Sequence, residues 1–182
     1  KRMKSDSFLL KGIMENRMQH FLDAESKRKV EKILCLEKEF EGQIQLNSTP
    51  VKFIFKVDRI DQYPDGSYVI VDYKTGSVDI VPKKLEQLQT MKFSRTSIRD
   101  NIKSFQLPLY YYFMEKHLPN AKLNALAYSI RTLEKRLFIS KEDYPHKEKI
   151  MEICLGALKF ILREITNPNI AFEADKDERK CR

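Results

Sequence analysis

The chain has no apolar run approaching the roughly 18 residues that a membrane-spanning helix needs, which excludes an integral membrane protein of that kind. The start, where Lys1-Arg2-Met3-Lys4 leads into a mixed polar segment, does not read as a signal peptide, and none is expected there. Cysteine is sparse and odd in number: Cys35, Cys154 and Cys181 do not describe a secreted disulfide framework. No internal repeat is visible, which sets aside solenoids and propellers. Residue 1 is not Met, and the chain is expected to be a piece of a longer protein.

What is present suits one ordinary domain. A chain of 182 residues can bury well over half of its unfolded surface without disulfide or metal staples. Charged residues make up 33%, yet 11 Phe and 8 Tyr argue against disorder. Lys and Arg number 34 against 26 Asp and Glu, a net +8 that raises the odds of an anionic partner such as nucleic acid. Cys35 and Cys154 sit among apolar neighbours and are expected in the core.

Apolar spacing predicts helix over residues 8–38, with a break near 23–29 and a second helix carrying Val30, Ile33 and Leu34. Residues 39–46 alternate loosely and read as a strand, and 47–50 have turn composition. From Val51 to Asp58 the alternation has the period of a strand. Tyr63-Pro64-Asp65-Gly66-Ser67 is a turn signal, followed by a second strand to Thr75. Residues 77–103 are polar, with six basic residues against three acidic ones, and one short helix is expected from Pro82 to Met91. A helix over 104–118, a strand over 123–130, an edge strand over 136–139 and a long amphipathic helix over 143–166 complete the pattern. The whole is divided as N-terminal helices (1–38), a core (39–140) and a C-terminal helix and tail (141–182) of a single domain.

The chemistry concentrates in the central hairpin. If two antiparallel strands fold about Asp65, Asp58 lies opposite Asp72. Directly opposed side chains have Cβ atoms roughly 4.5–5.5 Å apart, and like charges there are destabilising. A divalent cation between the two carboxylates would offset that cost, and hard cations such as Mg²⁺ prefer oxygen ligands. Lys74 projects from the same face, ~7 Å further along the strand. Two carboxylates and an ammonium on one face suit metal-assisted phosphodiester hydrolysis.

Three ordered motifs extend this set. Val57-Asp58-Arg59-Ile60-Asp61, then Val71-Asp72-Tyr73-Lys74-Thr75-Gly76, then Gln106-Leu107-Pro108-Leu109-Tyr110 resemble the PD-(D/E)XK nuclease superfamily, and most closely its RecB/AddB-type branch. The resemblance covers about residues 30–182. It implies an α/β restriction-endonuclease-like core, a central mixed β-sheet flanked by helices. It implies that Asp58, Asp72 and the backbone carbonyl of Tyr73 bind Mg²⁺ or Mn²⁺, with Glu39 as a loosely placed fourth candidate. Lys74 takes the role of the catalytic lysine. Gln106 and Tyr110, one helical turn apart, would sit beside the site and position DNA or the lysine. Lys83, Lys84, Lys92, Arg95, Arg99 and Lys103 are candidate contacts to the DNA backbone.

In that family setting the chain would be the nuclease, in particular the exonuclease, of a cytoplasmic bacterial or phage-like helicase–nuclease in double-strand-break repair, with DNA and an AddA-like chain as partners. Cys181 would join an iron–sulfur cluster in the full-length protein, since such clusters are held by four thiolates, or it is an ordinary tail thiol. RecB-type nucleases often carry a metal-binding His upstream. His20 is the only His before the motifs and lacks the expected small-residue context, so that ligand is expected before residue 1. Two alternatives stay open. One is a nuclease-like module that only grips DNA or a partner; the other is a stand-alone phage- or CRISPR-type exonuclease. Arg59 and Asp61 read as structural ion pairs or as flanks of the DNA.

Overall fold

A computed structural model describes residues 2–173, with side chains from residue 7 onward. A long helix, α1 (Arg2–Ser26), precedes a hairpin of two long strands, β1 (Lys32–Leu46) and β2 (Thr49–Gln62). Strand β3 (Tyr68–Lys74) follows the Pro64–Gly66 turn, where Gly66 has φ 76° and meets the demand for a left-handed residue. Two short helices, α2 (Leu85–Gln89) and α3 (Arg95–Ile102), lead into α4 (Gln106–His117). Strands β4 (Leu123–Ser129) and β5 (Lys135–Leu137) and the long helix α5 (Lys147–Thr166) close the order.

The five strands form one mixed sheet in the order β1-β2-β3-β4-β5. Only β3 and β4 run parallel; the other neighbours are antiparallel. A parallel pair needs a crossover, and residues 75–122, with three helices, supply it. The central strands are apolar and buried, as a sheet covered on both sides requires: Ile70, Val71, Ala125 and Ala127 are fully enclosed. One face carries the main core, with α4, α5 and the short helices. On α5 the buried residues are Ile150, Met151, Cys154, Ala157 and Leu158, the stripe of an amphipathic helix. The opposite face of β3 and β4 is covered by Phe21 of α1, whose ring meets Tyr73 at 5.6 Å and Tyr128 at 5.5 Å.

Local chemistry explains several boundaries. Pro108 stands in the first turn of α4, where a missing N–H leaves no bond unmade. Ser94 caps α3 by accepting from the Ser97 N–H. Gly42 on β1 faces the Phe113 ring, and a Cβ there would lie 2.3 Å from it; the glycine lets α4 approach the hairpin. Cys154 is buried, as expected, and burial pushes its thiol up to about 12.

The N-terminal pattern differs from expectation. No second helix forms over Val30 to Leu34; β1 begins at Lys32 and pairs with β2 along its whole length. Ile33, Leu34 and Leu36 are exposed, so the helix-like apolar spacing does not mark a buried face here. Strand pairing across the hairpin overrides it. The crossover holds two short helices rather than one, α1 and β1 begin earlier than expected, and β2 to β5, α4 and α5 lie within a few residues of the expected ranges.

Candidate active site

Asp58 and Asp72 come together where the sheet changes regularity. The β2–β3 ladder runs from Gln62 opposite Tyr68 to Arg59 opposite Val71. This is the register expected from the turn, and it ends one step short of the two aspartates. Instead of a further rung, Asp58 Oδ2 accepts the Tyr73 N–H at 2.7 Å. Val57 and Ile60 both enter the main core although three residues apart, so the two-residue alternation slips at Asp58–Arg59. On the neighbouring strand Glu37, between the paired positions Leu36 and Lys38, has φ 50°, a left-handed backbone uncommon outside glycine. A strand residue's N–H and C=O point to the same side, so the Tyr73 carbonyl also projects toward Asp58.

Asp72 is buried, with 1% of its surface exposed. Lys74 and Gln106 hold it, and Tyr110 backs Gln106. Lys74 Nζ stands 2.7 Å from Asp72 Oδ2 as an ion pair. The same ammonium donates to Gln106 Oε1 at 2.7 Å. Gln106 Nε2 donates to Asp72 Oδ1 at 2.8 Å and also lies 2.8 Å from the Tyr110 hydroxyl. Tyr110 in turn donates to the Lys56 carbonyl at 2.7 Å. The i, i+4 spacing on α4 thus places Gln106 and Tyr110 on the face that meets the strands.

The carboxylates outnumber the ammonium. Burial pushes the Asp72 carboxyl above the usual carboxylate range; Lys74 pulls against this and Asp58 adds to it. Lys74 meets Oδ2 as an ion pair, and no second described donor reaches that oxygen. A buried carboxylate with a second acid beside it is costly in the protein alone and suits a cation. The donor set is all oxygen: two carboxylates and the Tyr73 carbonyl. That chemistry fits Mg²⁺ or Mn²⁺, and Mg²⁺ commonly takes one or two carboxylates and completes its shell with water and phosphate. Among the described residues no three His, Cys, Asp or Glu side chains gather into a metal cluster.

The other candidates lie apart. Glu39 is exposed on β1 opposite Lys56 and does not join the aspartate pair. Among the basic residues of the crossover, Arg95 pairs with Glu164 at 2.7 Å, Arg99 with Asp100 at 2.8 Å and Lys103 with Asp79 at 2.5 Å. Lys83, Lys84 and Lys92 are exposed. Cys181 lies outside the described residues. Arg59 and Asp61 form ion pairs on the far side of the sheet, in a network with Glu25 and Arg28 of the α1 region.

Sequence reasoning missed Lys56 and Glu37. Their side chains pair at 2.6 Å beside Asp58, and the Lys56 backbone anchors Tyr110. The position of Lys56 two residues before Asp58 on one strand was a usable signal. The carbonyl carries none, because a backbone acceptor has no residue type.

Comparison with known proteins bears on the whole chain. The sequence model of the PD-(D/E)XK nuclease superfamily matches residues 4–182. No curated protein matches. A solved structure titled "Crystal structure of SSO0001" is 14% identical, over 94% of this chain and 75% of its own, with a TM-score of 0.37. The mixed five-stranded sheet flanked by helices is consistent with the restriction-endonuclease-like fold. The chain belongs to the PD-(D/E)XK nuclease superfamily, and that membership indicates a nuclease, a hydrolase of phosphodiester bonds.

Proposed function

We propose that the chain is a Mg²⁺- or Mn²⁺-dependent deoxyribonuclease, with Asp58, Asp72 and the Tyr73 carbonyl as the metal-holding atoms. The observation that carries this reading is the buried Asp72 carboxylate, ion-paired to Lys74, with the charge of Asp58 close enough to oppose its ionisation. When bound, the metal supplies Lewis-acid polarisation of the phosphoryl oxygen and a more acidic water. Lys74 places a positive charge where negative charge develops on the phosphate. Gln106 holds that ammonium in place from α4, and Tyr110 holds Gln106 against the strand. Lys83, Lys84 and Lys92 are exposed on the segment that leaves the catalytic strand and are proposed to meet the DNA backbone.

The order of the three motifs supports a RecB/AddB-type domain within a helicase–nuclease that processes DNA ends as an exonuclease, with an AddA-like partner chain. No helix among the described residues is long and apolar enough to cross a membrane.

The test is divalent-dependent degradation of single-stranded DNA by the parent protein, with and without the Asp72→Ala/Lys74→Ala pair. Removing one charge-stabilising group of this kind costs about 10²–10³ in rate, and the double variant is expected to fall at least that far. Full activity of the double variant sinks the assignment.

One observation favours a second reading, a nuclease-like module that binds without cutting: no third acidic, His or Cys side chain joins the pair among the described residues. Calorimetric titration with Mn²⁺ separates the two. Absence of binding by the full-length protein favours the module.

A further inference from the structure

Strand β2 is longer than its partner β3. From Phe53 to Lys56 it pairs with β1 alone, and the ladder to β3 starts only at Arg59. The second edge of this stretch faces the N-terminal half of α4, where Tyr110 already satisfies the Lys56 carbonyl. Between them lies a trench of about 370 Å³, walled by Phe53, Ile54, Phe55, Leu109, Lys56 and Gln106. Its size is in the range of small-ligand sites, which typically combine apolar walls with a few polar groups.

The trench is braced from behind. Phe113 is buried, stacks on Phe55 at 5.2 Å and meets Phe53 at 5.8 Å. Ile54 stands at the lip, 61% exposed. One wall is shared with the candidate active site, because Gln106 also donates to Asp72 Oδ1 at 2.8 Å. An occupant of the trench therefore sits one side chain away from the phosphate that the aspartates would address.

We propose that the trench takes one unpaired nucleobase of the substrate strand, next to the phosphate being cut, and so gives the chain a preference for single-stranded or frayed DNA. This deepens the nuclease reading above and rests on it. Every base has an apolar face that stacks on aromatic and aliphatic walls without regard to sequence. A base inside a duplex must first be unstacked and unpaired, which disfavours its entry. An open strand edge can also receive a peptide strand. The shared Gln106 wall favours the substrate strand, since its backbone must already lie at the aspartates.

The experiment uses the full chain, Ca²⁺ in place of the activating metal, and an oligonucleotide with a single 2-aminopurine moved one position at a time, as a single strand and as a duplex. One position of the single strand is expected to change fluorescence on binding, and the single strand to bind at least about 10-fold tighter than the duplex. Ile54→Asp is expected to weaken single-strand binding by roughly 10-fold while leaving duplex binding unchanged, and Leu109→Asp, with folding checked by circular dichroism, to do the same. Equal affinity for the two DNA forms overturns the proposal but leaves the nuclease reading intact. Unchanged single-strand affinity in both variants also overturns it and leaves the edge to a peptide strand. Failure of both DNA forms to bind sinks both readings.

Discussion

Two ionic clusters sit back to back on the same strands, and they differ in how completely their charges are met. On one face Glu25, Arg28, Arg59 and Asp61 balance two acids with two guanidiniums. Asp61, fully enclosed, accepts from Arg28 at 2.6 Å and from Arg59 at 2.5 Å; Glu25 pairs with Arg28 at 3.0 Å and with Arg59 at 2.8 Å. Arg28 also donates to the Tyr63 hydroxyl at 2.8 Å. On the other face Lys74 pairs with Asp72 alone at 2.7 Å, and Asp58, which accepts the Tyr73 N–H, has no ion-pair partner among the described residues. Asp58 and Arg59 are neighbours in sequence, as are Asp72 and Tyr73. A single strand step therefore separates a saturated cluster, which fixes α1 to the sheet, from an unsaturated one, where the proposed cation would sit.

The largest effect is expected from breaking the saturated side. Arg28→Ala leaves Asp61 enclosed with half of its compensation, and removal of one partner of a buried pair costs about 3–5 kcal/mol. Urea unfolding should show that loss. A change below ~1 kcal/mol would mean that the network is solvated and does not clamp α1.

Filling the unsaturated side should have the opposite sign. Mn²⁺ at 100 times its dissociation constant is expected to stabilise the protein by about 2.7 kcal/mol. Thermal melting with and without the metal measures it. The gain should vanish in Asp58→Asn and Asp72→Asn and persist in Arg28→Ala. An equal gain in Asp72→Asn would place the cation elsewhere.

A smaller loss tests the scaffold behind the site. Tyr110→Phe removes the donor to the Lys56 carbonyl and the hydroxyl beside Gln106, which predicts about 1 kcal/mol of stability. Loss of activity without loss of metal-dependent melting would show that Tyr110 positions Gln106 and Lys74 rather than the metal. A variant with wild-type stability and activity would remove Tyr110 from the site.

How much of this was legible follows from the range of the signals. The turn at Pro64–Gly66 fixes the hairpin register, so the approach of Asp58 and Asp72 could be read from local spacing. Gln106 could be linked to Asp72 only through its ordered motif, because 34 residues separate them and ion-pair and amide contacts have no period. The rear cluster was half legible: Arg59 and Asp61 were candidates for ion pairs, but nothing near Glu25 or Arg28 names a partner more than 30 residues away. At the start of β1 the spacing of Val30, Ile33 and Leu34 is helical, while the pairing that decides the outcome comes from β2. Helix α3 carries a local signal in the sequence: Ser94 as cap, then Ile98 and Ile102 four residues apart on the buried side.

A third ionic group, at the hairpin turn, sharpens the comparison from the exposed end. Asp65 accepts the Ser67 hydroxyl and N–H and pairs with Lys122 at 3.1 Å, and these hydrogen bonds hold its carboxyl down at about 2, against 3.8 for an ordinary aspartate. A carboxyl with a depressed folded value stabilises above its unfolded value and loses that contribution as pH falls through the folded one. The stability difference between the wild type and Asp65→Asn should therefore be constant above about pH 5, shrink below 3.8, and have largely gone near pH 2. Melting curves at stepped pH measure the difference, and an NMR titration of the Asp65 carboxyl reads the folded value directly. Because the group is exposed, added salt should reduce its pairing with Lys122 and leave the enclosed Asp61 pairs nearly unchanged. A folded-state midpoint near 3.8 would show that the turn is held by backbone geometry alone, leaving charge with structural weight only where the sheet encloses it.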